Sequence, residues 1–158
     1  AALCLPLAES APHPRVFAAI EDILGAIDDP FGVAVAIARF ELELLAELGF
    51  GLDLSSCAAT GVTADLVYVS PRSSRAVSRA AGEEYRDRLL RLPAFLHDDT
   101  AAADAAGLAD AFALTGFFLD RHAFSPRGLP MPSERGRFIG AVMRQLNNAA
   151  DAAPNGVR

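Results

Sequence analysis

Lysine is missing from this chain. All fourteen basic residues are arginine, so every cationic position offers a planar guanidinium able to pair bidentately with carboxylate or phosphate. Cysteine is scarce as well: Cys4 and Cys57 lie 53 positions apart with no Cys-x-x-Cys pair and no Cys-His spacing. That excludes a disulfide framework or a zinc knuckle written in the sequence, and leaves two reduced, buried thiols of a cytoplasmic protein as the reading. No apolar run reaches the ~20 residues of a membrane span, because Arg39, Glu41 and Glu43 break the longest one. Residues 1–8 hold no basic group and are interrupted by Pro6, so no secretory leader is read there. Gly-x-Ser-x-Gly, a phosphate-cradling loop and His-Glu-x-x-His are all absent. The histidines are scattered at 13, 97 and 122, and the one local cluster, His97-Asp98-Asp99, reads as a helix start with its acids near the positive end of the dipole. The chain is expected to be no enzyme and to need no cofactor.

What is present is an apolar composition of 52% over 158 residues, enough for one domain that buries about two-thirds of its unfolded surface. The opening Ala-Ala-Leu-Cys lacks Met and basic residues and runs quickly into the turn-forming Ser10-Ala11-Pro12-His13-Pro14. It reads as the interior of a longer protein. Net charge is −6 but unevenly spread: residues 1–66 hold two Arg against ten acids, and residues 67–97 hold six Arg against three. A domain binding nucleic acid over its whole surface is excluded, since phosphate neutralisation needs clustered cations, and a local patch is not.

Apolar residues recur at helical spacing from Pro14 through Ile27, stopped by Asp28-Asp29-Pro30. Asp29 can cap a second helix with Pro30 in its first turn, running to Gly49 as a left-handed terminus, with Glu41, Glu43 and Glu47 on its polar face. Over 52–82 the pattern changes to a loop, a strand Leu66-Val67-Tyr68-Val69-Ser70, a turn at 71–74 and a returning strand Arg75-Ala76-Val77-Ser78. Helical spacing resumes with Tyr85, Leu89 and Leu92 up to Pro93, then from about Thr100 to His122. Three prolines and a glycine make 125–132 a loop, after which Ser133 caps a last helix that fades at Asn147-Asn148, with 151–158 as a flexible tail. The expected fold is mostly α: a compact bundle of about five helices, residues 1–158, with a small inserted β-hairpin.

Arg39-Phe40-Glu41-Leu42, the run Leu44 to Leu54, and Cys57-Ala58-Ala59-Thr60-Gly61 together resemble the central pattern of the bacterial RecO family. Tyr68-Val69-Ser70-Pro71, Ala76-Val77-Ser78, Leu92 to Leu96, and Leu114-Thr115-Gly116-Phe117-Phe118-Leu119-Asp120-Arg121-His122 follow in the order of its alphaproteobacterial members. The resemblance spans residues 14 to 146 and implies a helical C-terminal domain carrying a zinc-ribbon insertion, without the family's N-terminal oligonucleotide-binding barrel. It implies a cytoplasmic, nucleoid-associated mediator of the RecF pathway of DNA repair and recombination that binds and anneals single-stranded DNA and engages single-strand binding protein and RecR. A purely structural helical interaction module is the alternative.

The resemblance also locates sites. Where zinc-bearing relatives place four thiolates, this chain reads Cys57, Thr60, Ser78 and Ala81, a ribbon that kept its hairpin and lost its ion. The arginines at 72, 75, 79, 86 and 88 could guide a DNA backbone, or could form a solvated face paired with Glu83, Glu84 and Asp87. Single-strand binding protein, as the family relationship implies, ends in acids and a Pro-Phe terminus, which needs an apolar pocket and a cation. Phe40 and Leu44 are expected to supply the pocket, with Arg39 first and Arg121 second for the carboxylate. Arg39 could instead lie along the helix face and pair with Glu43 four residues on.

Overall fold

The computed structural model describes residues 2–4, 6–7 and 12–152, with backbone only at residue 2 and at 149–152. Pro14 and Pro30 each sit in the first turn of a helix, where a missing N–H costs nothing, and they open α1 (Pro14–Gly25) and α2 (Pro30–Glu47). Asp29 caps α2 by accepting the Phe31 amide at 3.0 Å. Gly49, at φ +84°, turns the chain away from α2 into the segment that leads to the hairpin.

Strands β1 (Leu66–Val69) and β2 (Ala76–Ser78) pair antiparallel with an irregularity between Leu66 and Tyr68. A short helix α3 (Arg79–Gly82) follows, and then the chain departs from the sequence reading. The helical spacing of Tyr85, Leu89 and Leu92 is not realised as an α-helix: residues 83–88 form a 3-10 turn, and β3 (Leu90–Arg91) adds to the other edge of β1. The sheet order is β2-β1-β3, so the hairpin has become a three-stranded sheet. The competing force is burial of β1 between two neighbours, which leaves Tyr68 2% and Val69 0% exposed.

Helix α4 (Ala105–Leu119) begins five residues later than the sequence suggests. Asp98 turns back to accept the Thr100 amide and hydroxyl, and Asp104 supplies the true cap through the Gly107 amide at 2.6 Å. The helix continues as a π-turn over 120–124, whose carbonyls at His122 and Ala123 receive the Arg127 guanidinium. Helix α5 (Ser133–Ala152) takes in Ser133 as its first residue, not as the cap expected of it, with the Ser133 hydroxyl donating to the Glu134 carboxylate at 3.5 Å, and it runs past Asn147-Asn148. The expected tail lies outside the described residues from 153 on. No helix among the described residues is long and apolar enough to cross a membrane.

Two apolar clusters hold these elements together. The larger joins α1, α2, the sheet and the end of α4 around Leu44, Leu45, Tyr68, Phe118 and Phe124. The smaller, with Ala34 and Ala38 of α2, Leu108, Ala111 and Phe112 of α4, and Val142 of α5, locks three helices through small residues that allow close approach. The architecture is mostly α with a small inserted sheet, as the sequence implied.

Candidate functional site

Glu41 was placed on a polar helix face, and the structure corrects this: its side chain is 0% exposed, against 11% for Arg135, with which it pairs. Arg135 Nε donates to Glu41 Oε1 at 2.7 Å and Nη2 to Oε2 at 2.9 Å, while Nη2 also reaches the Phe112 carbonyl at 2.7 Å. The Thr115 hydroxyl donates to Glu41 Oε2 at 2.5 Å. The guanidinium carbon stands 5.6 Å over the Phe112 ring. Gly116 makes the space, since a Cβ there would lie 2.9 Å from Arg135 Nη1. Glu41, Thr115 and Gly116, residues of the family-like pattern, therefore serve a buried ionic joint among α2, α4 and α5. Sequence reading missed it because its partner lies 94 positions from Glu41.

The four residues expected to receive a partner tail are not brought together. Phe40 faces a groove of about 350 Å³ between α1, α2 and α5, lined with Ile20, Ile23, Ile37 and Phe138. Leu44 is fully buried beneath α2. Arg39 follows the turn of the helix about 100° away and donates from Nε and Nη2 to the Phe95 carbonyl at 3.3 and 3.0 Å, with Asp99 at 3.4 Å. Its pairing is with this loop, and Glu43 keeps a buried Oε2 that has no hydrogen-bond partner among the described residues. Arg121 is farther along, donating to the Pro71 carbonyl at 3.1 Å and lying over the Phe117 ring. At the rim of the groove Glu134 holds the exposed Arg137 at 2.9 Å.

Of the four zinc-like positions, three do converge. Cys57 Sγ accepts the Ser78 amide at 3.3 Å in a buried setting. Burial by itself raises the thiol pKa, yet hydrogen bonds from the Thr60 hydroxyl and from Ser78 outweigh it and bring it to about 6. Ala81 lines the adjoining cavity with Val77. Among the described residues no three His, Cys, Asp or Glu gather around a point where an ion could sit.

The arginine patch divides sharply. Arg75 donates to Asp53 at 3.0 Å, Arg79 to Asp65 at 3.2 Å, and Arg86 to Glu83 at 3.2 Å. Hydrogen bonds from Ser55, then from Arg75, hold the Asp53 carboxyl below its ordinary value. Arg72 and Arg88 are exposed and, among the described residues, their guanidinium groups have no hydrogen bond or ion pair; both border one small cavity. His122 is stacked between Phe50 (4.9 Å, 12°) and Phe118 (6.0 Å, 8°), and this burial, then the charge of Arg121, lowers its pKa.

Along α1 and the turn that follows it, Phe17, Ile20 and Leu24, then Ile27, form an outward stripe, 63%, 37%, 59% and 66% exposed. Their spacing at i, i+3, i+7 and i+10 puts four large apolar side chains on one side of this segment, with Ile20 also lining the groove.

Comparison with known proteins agrees over most of the chain. The family model described as "Recombination protein O C terminal" matches residues 3–129. The DNA repair protein RecO of Rhizobium etli is 49% identical over 159 residues, covering 99% of this chain and 62% of the relative. That of Rhodopseudomonas palustris is 52% identical, covering 96% of this chain and 62% of the relative, and that of Sinorhizobium medicae 47%, covering 94% and 59%. The chain thus spans about three-fifths of the length of these curated relatives. No solved structure matches it.

Proposed function

The chain belongs to the recombination protein O family as its C-terminal region, and from that premise we propose that it is the helical, partner-docking part of a non-enzymatic mediator of DNA repair and recombination. The observation that carries the reading is near-half identity to proteins named DNA repair protein RecO across almost the entire chain. In this reading the parent protein acts in the cytoplasm at the nucleoid, in the RecF pathway. It binds and anneals single-stranded DNA and works with single-strand binding protein and RecR.

The share of this region is docking. The groove at Phe40 is apolar and large enough for an aromatic ring, which suits the Pro-Phe end of the single-strand binding protein tail. Arg137 can exchange its exposed contact with Glu134 for the tail's carboxylates, because an exposed ion pair contributes little. Arg39 and Arg121 remain secondary receivers, each already committed to a backbone carbonyl. The alternative of a purely structural module draws support from the internal pairing of Arg75, Arg79 and Arg86.

Survival of ultraviolet irradiation separates the two. Cells whose protein carries Ile20→Asp, a half-exposed position in the groove, are expected to lose resistance although the protein accumulates normally. Unchanged survival contradicts the docking role.

A further inference from the structure

The 3-10 turn over 83–88 repeats every three residues, so side chains at i and i+3 eclipse one another. That period sorts its residues into three rows. Glu83 and Arg86 share one row and pair at 3.2 Å. Glu84 and Asp87 share a second, and neither borders the cavity described next. Tyr85 and Arg88 share the third, which faces the β1–β2 turn.

Between that row and the turn lies a cavity of about 290 Å³ lined by Ser70, Pro71, Arg72, Tyr85, Arg88 and Leu89. It adjoins a second of about 270 Å³ that shares Ser70, Tyr85 and Leu89 and extends over Ala58 and Val77. The two form one trough along the hairpin with the Tyr85 ring, 54% exposed, at their junction. Two uncommitted guanidiniums, of Arg72 and Arg88, line the same cavity as that ring, while the neighbouring Arg75, Arg79 and Arg86 are neutralised by Asp53, Asp65 and Glu83. Arg121 reaches the Pro71 carbonyl at the trough's lip, adding a third cation to that end. The other tyrosine, Tyr68, is buried and gives no platform.

An exposed aromatic ring sharing a cavity with two free arginines fits a chain of planar, weakly sequence-selective bases linked by phosphates. We propose that Tyr85, Arg72 and Arg88 form a single-strand nucleic-acid trough in which the ring stacks a base and the two guanidiniums hold the flanking phosphates. This rests on the DNA-repair reading above and narrows it to one site. Either cation alone would serve an acidic peptide, but such a ligand has no use for the ring face.

Titration of the chain with a fluorescein-labelled oligothymidylate, followed by anisotropy at several salt concentrations, tests it. Tyr85→Ala is expected to weaken binding roughly five- to hundredfold, and Tyr85→Phe to retain it. Arg72→Ala and Arg88→Ala should each lower the salt slope by about one. Arg79→Ala and Arg86→Ala should change neither. All these positions are exposed, so the variants are expected to keep the wild-type circular dichroism. Oligonucleotide binding that ignores Tyr85, Arg72 and Arg88 would overturn the trough while leaving DNA binding intact elsewhere. A chain that binds no oligonucleotide at all overturns the trough and counts against DNA binding by this region. An acidic peptide that binds through Arg72 and Arg88 where the oligonucleotide does not would overturn the nucleic-acid assignment alone.

Discussion

Arg135→Met removes the only cation facing Glu41 among the described residues and leaves a carboxylate at 0% exposure with the Thr115 hydroxyl as its remaining partner. Breaking a buried pair from one side costs about 3–5 kcal/mol, because the survivor has lost both water and counter-charge. At roughly 2–4 °C per kcal/mol for a domain of this size, the melting temperature should fall by about 6–20 °C. The double variant Glu41→Leu/Arg135→Met removes both charges, and Thr115 can then turn to the Ala111 carbonyl, already 3.0 Å away. It is expected to lie within about 1 kcal/mol of wild type, or above it. Gly116→Ala perturbs the joint sterically, since its Cβ would stand 2.9 Å from Arg135 Nη1, and should destabilise where a helical Gly→Ala ordinarily stabilises by about 1 kcal/mol. Urea unfolding followed by circular dichroism measures all three. A loss below about 1 kcal/mol for Arg135→Met, the value of an exposed pair, or a double variant as costly as the two singles together, would refute the reasoning.

Three further outcomes follow from the same geometry. The chain should contain no stoichiometric zinc on metal analysis, having one thiolate of four, whereas Thr60→Cys/Ser78→Cys/Ala81→Cys should take up one equivalent, because Cys57, Thr60 and Ser78 already converge; zinc in the wild type, or none in the triple variant, contradicts this. His122 has a folded pKa below its ordinary 6.5, so the folded state prefers it neutral: its contribution is fully present above that value and is lost as pH falls through the folded pKa. Urea midpoints across this window should decline in the wild type and decline less in His122→Phe. Arg39→Ala should cost about 1–3 kcal/mol of stability through loss of its bonds to the Phe95 carbonyl, with tail-peptide affinity nearly unchanged; a stable variant with tenfold weaker peptide binding would restore Arg39 as the carboxylate receiver.

The ends of the first two helices were legible because their causes are local. Pro14, Asp29-Pro30 and Gly49 each act within a turn of themselves, and all three stand where the sequence suggested. The hairpin was legible for the same reason. The segment 83–91 was not, since apolar residues spaced for a helix were drawn instead to the free edge of β1. Glu41 was misread because a glutamate between apolar neighbours is ordinarily solvated, and only the arrival of Arg135 makes its burial tolerable. The arginine patch could be counted in the sequence, but which cations are spent on Asp53, Asp65 and Glu83 depends on where the chain folds back. Tyr85 and Tyr68 look alike in sequence, and pairing on both edges of β1 buries one and leaves the other free.

The docking claim is tested most directly by calorimetric titration of the chain with a peptide ending in acidic residues and Pro-Phe. One-to-one binding is expected, abolished by Ile20→Asp in the groove and weakened by Arg137→Ala at its rim, with a control peptide lacking the terminal Phe giving no heat. A chain that binds neither peptide, or binds both equally and regardless of Ile20→Asp, would contradict it.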